Sequence, residues 1–228
     1  EKFPGILADQ KDLMGSLFPC INLILVYGKE GIMQNLGHLD LLINIACKVL
    51  TSTSPKSEPS DKVEGALILH VIFKYYGSVI NDRQLVAVME NALKALEITS
   101  DSAIKAKVLE LFLYGFMGNF KFTEEYFITN NKLSTVFEEI LTNIRIFDSV
   151  YDQKTFVVGL TCVIKQEQPH KETSDFFLKI FKSLISMLKV NQIKAERNAD
   201  KKKKHHEDEV DIEINNVHFG NDEQIFDY

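Results

Sequence analysis

Residues Glu64–Tyr76 read EGALILHVIFKYY. Nine of these thirteen residues are aliphatic or aromatic, and at 100° per residue they fall on every side of a helix, leaving it no broad polar face for water. Such a helix is stable only when neighbours cover it on more than one side, as in a layered stack of helices. The stretch therefore predicts an all-α fold with this segment in its middle.

The flanking sequence agrees. Ile104, Val108, Leu111 and Phe112 form an apolar stripe at helical spacing, opened by Ser100 or Asp101 as cap, and Leu85, Met89, Leu93 and Leu96 form another, opened by Asp82. Phe177, Ile180, Phe181, Leu184, Ile185 and Leu188 form a third, opposite Lys179, Lys182, Ser183, Ser186 and Lys189, which predicts a last helix pinned onto the "TFVVGL" helix by one face. Alternation of period two appears only in the "VDIEI" near the end. Breaks are predicted at "YGKEG", "TSTSPKSEPSDK" (Thr51–Lys62), "GSVIND", "ITSDS", "NNK", "FDSVYD" and "KQEQPHK". Taken in pairs, the helices between them form units beginning near residues 6, 61, 101 and 151, a period of about 40 to 50 residues that suits antiparallel HEAT-type pairs stacked into an α-solenoid.

With 228 residues, 45% hydrophobic and 25% charged, the chain is long enough to bury a large core. Its longest apolar runs reach only about half the roughly 20 residues of a membrane span, so no membrane insertion is expected. Cys20, Cys47 and Cys162 show no metal-ligand spacing and read as buried free thiols. The chain starts at Glu1 without an initiator methionine, and it is expected to be a piece of a longer protein. Net charge is −6, unevenly spread: the last 24 residues hold eight acids and no Lys or Arg.

No catalytic, cofactor-binding or metal-binding constellation stands out. "YGKEG" lacks the rest of a phosphate loop. His38 and Asp40 lie together with no third ligand at helical spacing and read as surface residues. His70, inside the apolar run, reads as a core histidine hydrogen-bonded to a neighbour, and His205 and His206 as part of a solvated tail. The adjacent pairs Glu124/Glu125 and Glu138/Glu139 point about 100° apart on a helix and read as solvated faces. "LYGFMGNFKFTEEYF" (Leu113–Phe127) carries one lysine among its aromatics, so core packing around a tight turn is expected rather than base stacking or direct nucleic-acid binding. With no convergent His, Cys, Asp or Glu set in view, an enzyme is not expected.

"LGHLDLLINIACKVLT", "EGALILHVIFKYYGSVINDRQLVAVMENALKAL", "KAKVLELFLYGFMGNFKFTEEYF" and above all "FDSVYDQKTFVVGLTCVI" resemble, in order and spacing, the C-terminal HEAT repeats of the importin-β (karyopherin) superfamily, most closely the importin-seven and importin-eight class. The resemblance implies a HEAT solenoid over residues 1–203 and an acidic, largely disordered tail over 204–228. It implies a receptor that carries protein cargo through nuclear pores, shuttling between cytoplasm and nucleus. Ran GTPase would bind through amino-terminal repeats this chain does not contain, and nucleoporins would be further partners. An export receptor of the same superfamily, or an unrelated HEAT scaffold, is the alternative. In that class a strongly acidic segment follows the repeats. Here Glu207, Asp208, Glu209, Asp211 and Glu213, five acids in seven positions after "KKKK", stand in its place as candidate contacts for basic cargo such as ribosomal proteins or histones.

Overall fold

The computed structural model describes residues 13–54, 57–189 and 192. Among them every regular element is helical. In chain order these are α1 (Leu13–Tyr27), α2 (Lys29–Gln34), α3 (Gly37–Leu50), α4 (Pro59–Tyr76), α5 (Asp82–Ile98), α6 (Ser102–Gly118), α7 (Phe120–Thr129), α8 (Leu133–Thr142), α9 (Val150–Ile164), α10 (Lys171–Asp175) and α11 (177–189). Short 3-10 turns, Gly77–Val79 and Ile144–Ile146, precede α5 and α9. The chain divides into two compact units, residues 1–184 and 185–228; the first contains α1 to α10.

The helix starts follow from local chemistry. Asn81, rather than Asp82, caps α5: its side chain accepts from the Gln84 amide at 3.0 Å, and the Gln84 side chain accepts from the Asn81 amide at 2.9 Å, a reciprocal capping box. Asp101 caps α6 through the Ala103 and Ile104 amides, and Ser149 caps α9 through the Asp152 amide. The polar loop expected to run to Lys62 ends earlier, because Pro59 at the first helical position and a Glu58–Asp61 capping box start α4 there. α7 ends in a Schellman motif: the Lys132 amide bonds to Phe127 O and the Asn131 amide to Ile128 O, with Asn131 left-handed at φ 53°.

α4 is enclosed as its sequence requires. It touches α1, α3 and α6 and buries Ala66, Ile68, Leu69, Ile72, Phe73 and Tyr76. The Tyr76 hydroxyl donates to Leu25 O at 2.7 Å, tying α4 to α1. α6 in turn touches α4, α5 and α9, burying Ile104, Val108, Leu111 and Phe112 as expected. Gly65 and Gly159 let neighbouring helices approach closely. A Cβ on Gly65 would lie 3.0 Å from Ala46 O, on α3, and one on Gly159 would lie 2.7 Å from the Leu113 Cβ, on α6. On α5 the inward side is Leu85, Val88, Met89, Ala92 and Ala95, with Leu93 and Leu96 half-buried.

The aromatic Leu113–Phe127 segment is core, with a turn at Gly118–Asn119. Phe116 stacks on Phe137 at 5.4 Å, and Phe127 meets Phe112 edge-on at 5.4 Å. The last helix departs from expectation. Phe181, Ile185 and Leu188 are exposed, while Phe176, Ile180 and Met187 are buried, and Phe176 lies 5.2 Å from Phe137 of α8. This segment has more apolar residues than one face can bury, so periodicity alone does not select the inward side. The α10 turn does: Glu124 accepts hydrogen bonds from the His170 amide at 2.9 Å and the Thr173 hydroxyl at 2.5 Å, which holds Phe176 against α8.

Candidate functional site

The strongest polar constellation among the described residues crosses the line of contact α4–α6–α9. α4 contributes His70; α6 contributes Lys107, Glu110 and Tyr114 from successive turns of one face; α9 contributes Tyr151 and Asp152. In sequence these lie up to 82 residues apart, counted from His70 to Asp152, and only the stacking of the three helices brings them together.

The core of the site is nearly dry. The Glu110 side chain is 0% exposed, those of His70 and Asp152 are 3% and 7%, and that of Lys107 is 16%. Lys107 Nζ lies 2.5 Å from Asp152 Oδ1 and 3.3 Å from both Glu110 oxygens. His70 Nε2 bonds to the Lys107 carbonyl oxygen at 2.9 Å. Since a carbonyl only accepts, Nε2 carries hydrogen. Nδ1 lies 3.2 Å from Glu110 Oε2 yet completes no hydrogen bond. Above the cluster the Tyr114 and Tyr151 hydroxyls are bonded to each other. The Tyr114 ring lies 5.2 Å from His70 and stacks at 5.8 Å on Phe73, closing the site on one side.

Burial governs the ionisation. It lowers His70 to about 3, against the opposing Lys107 carbonyl bond, and raises Glu110 to about 8, with Lys107 opposing and Asp152 adding. For Asp152 burial acts upward, but the hydrogen bonds from Lys107 and Ser149 outweigh it and hold the carboxyl below its usual range. Lys107 is raised, because the Asp152 bond and the Glu110 charge outweigh the opposing effect of burial. Burial also raises Tyr114, reinforced by Tyr151. At neutral pH the arrangement is a Lys107–Asp152 ion pair beside a neutral His70 and a neutral Glu110.

His70 is thus the hydrogen-bonded core histidine its apolar surroundings suggest. The convergence around it was not legible: Glu110, Lys107 and Asp152 look like ordinary helix-surface charges, and the one cue is that Glu110 sits inside "VLELFLY" (Val108–Tyr114), where a polar face has no room. The finding corrects the expectation that no acids and bases converge. Lys107, Glu110 and Asp152 are bonded to one another, and His70 to the Lys107 carbonyl. His38 and Asp40 are exposed, and Asp40 accepts from Gln84 Nε2 at 2.6 Å, joining α3 to α5. Glu124, expected on a solvated face, is buried and serves as the α10 anchor. Glu125 and Glu138 are exposed; Glu139 pairs with Lys105 at 2.8 Å. Cys47 is buried, its thiol pushed up to about 12 by burial, whereas Cys20 is exposed and Cys162 intermediate, so only one of the three is a fully buried thiol.

Glu207, Asp208, Glu209, Asp211 and Glu213, with His205 and His206, lie outside the described residues. Among the described residues no group of three or more His, Cys, Asp or Glu could hold a metal ion, and no helix is long and apolar enough to cross a membrane. In comparisons with protein families, curated proteins and solved structures, the chain matches none.

Proposed function

We propose that the chain is the C-terminal portion of a nuclear transport receptor of importin-β type, a HEAT-repeat α-solenoid that binds basic protein cargo for Ran-dependent nuclear import. The observation that carries this reading is the order of helix contacts. α1 touches α4, α4 touches α6 and α6 touches α9, while α3 touches α5: like helices of successive pairs meet in chain order, as stacked repeats require. The exposed Leu23, Ile24 and Tyr27 of α1 suit a surface on which a preceding helix pair would stack. The sequence resemblance supplies the transport role, and the acids of 207–213 supply the charge for a basic cargo. The reading is of an adaptor without catalysis, acting in cytoplasm and nucleus, with Ran and nucleoporins engaged elsewhere in the receptor.

Association of a lysine-rich protein, a ribosomal protein or linker histone, with this chain and with a chain cut at Lys204 tests the cargo role. Capture by the acidic segment predicts faster association with the intact chain at low salt and a difference that shrinks as the Debye length falls to about 8 Å near physiological ionic strength. Equal rates at low salt would remove the tail from cargo capture. In the full-length receptor, release of cargo by Ran-GTP marks import, and strengthened binding marks export.

A further inference from the structure

The polar site contains one fixed cation, Lys107, and two carboxylates, Glu110 and Asp152. A buried cluster with one negative charge in excess is costly, and a single proton removes the excess. His70 and Glu110 are the two places for it. On His70 it would leave two buried charges, an imidazolium and the Glu110 carboxylate with side chains 3% and 0% exposed, that complete no hydrogen bond with each other, a costly desolvation. On Glu110 it leaves both groups neutral, and the Asp152 carboxylate, bonded to the same Lys107, is the acceptor that faces it.

We infer that Glu110 is a neutral carboxylic acid whose proton closes the joint between α4, α6 and α9, and that loss of this proton in mildly alkaline solution loosens the joint. The deprotonated Glu110 competes with Asp152 for Lys107 and presents a bare anion to the His70 lone pair. The contact from α6 to α4 and the contact from α6 to α9 then weaken together. The titratable groups that face Glu110 are His70 from α4, Lys107 and Tyr114 from its own helix, and Asp152 from α9, with Tyr151 of α9 bonded to Tyr114. Among the described residues none from α5, α7 or α8 contributes to its shift or to that of His70. The raised position of Glu110, about 8, sets where the joint responds. The inference concerns the folded chain alone and does not depend on the transport reading.

The test combines nitrogen NMR of the His70 ring with amide hydrogen exchange between pH 6 and 9, corrected for the intrinsic pH dependence of exchange, on the intact chain and on Glu110→Gln. The carboxamide keeps the shape and a donor but cannot ionise. The expected results are a neutral His70 with hydrogen on Nε2 at pH 7, and an increase of tenfold or more in corrected exchange around His70 and across 150–156 as the pH rises from 6 to about 8, levelling off above it. That increase should be absent in Glu110→Gln. A doubly protonated His70 ring at pH 7 would overturn the inference, as would an alkaline increase that persists unchanged in the variant. If the variant fails to fold, the His70 ring state and the exchange profile of the unaltered chain decide the matter: an imidazolium, or a flat profile through pH 8, sinks it.

Discussion

Gly159 stands where α9 crosses α6 with no room for a methyl group, its hypothetical Cβ only 2.7 Å from the Leu113 Cβ. Replacing it with alanine forces the two helices apart, and Gly159→Ala should destabilise the chain by about 1–3 kcal/mol in urea unfolding. Removing the opposing Cβ, as Leu113→Gly, should reduce the extra cost of the glycine change; strict additivity of the two would show that the crossing is not the cause. His70 sets an acid limit. Its pKa falls from 6.5 to about 3 on burial, so its contribution is complete above the unfolded value and is lost as the pH drops from 6.5 toward 3. Asp152, also lowered, acts in the same direction at still lower pH. Glu110 has the opposite sign: raised from 4.5 to about 8, it erodes stability as the pH climbs between those values. Melting temperature against pH should therefore pass through a maximum near pH 5 to 6 for these groups, and Glu110→Gln should flatten the alkaline side alone.

At the scale of elements, each helix start rests on one or two side chains. Asn81→Ala removes the cap of α5 and one half of its capping box, with an expected cost of about 1 kcal/mol. The last turn of α7 depends on left-handed Asn131. Asn131→Gly should leave stability unchanged or improve it, whereas a β-branched residue there should lower it, because its Cβ crowds the backbone at positive φ. The α10–α11 corner gives the sharpest contrast. Phe176→Ala should cost about 3–5 kcal/mol, since the ring is buried against Phe137, while Phe181→Ala, at a site 56% exposed, should stay within about 0.5 kcal/mol. Thermal unfolding of the two variants side by side checks this; equal losses would place Phe181 in the core after all.

At the scale of the whole molecule, the stacked-repeat reading proposed above makes stability a sum of local interfaces between successive helix pairs. Gly159→Ala, at the contact of α9 with α6, should then raise exchange in α8 and α9 well before α3 and α4, which meet at Gly65. Uniform loss of protection through all these helices would instead mark a single cooperative unit. The polar joint of His70, Glu110, Lys107 and Asp152 is the one described place where charge, rather than apolar contact alone, links three helices of the row.

The helical class, the enclosure of Glu64–Tyr76, most of the breaks and the core character of His70 are written in the sequence, because each depends on composition and spacing within one or two turns of chain. The sequence also carried the acids of the tail as plain charge. Tertiary structure alone decided the rest. Which side of 177–184 turns inward depends on the Glu124 anchor some fifty residues earlier. Whether Glu110 and Glu124 meet water or the core depends on helices whose positions no local period encodes. The convergence of one lysine, one histidine and two acids from α4, α6 and α9 appears only when the stack removes water from between them. That loss of solvent is what turns ordinary helix charges into a site with a proton of its own.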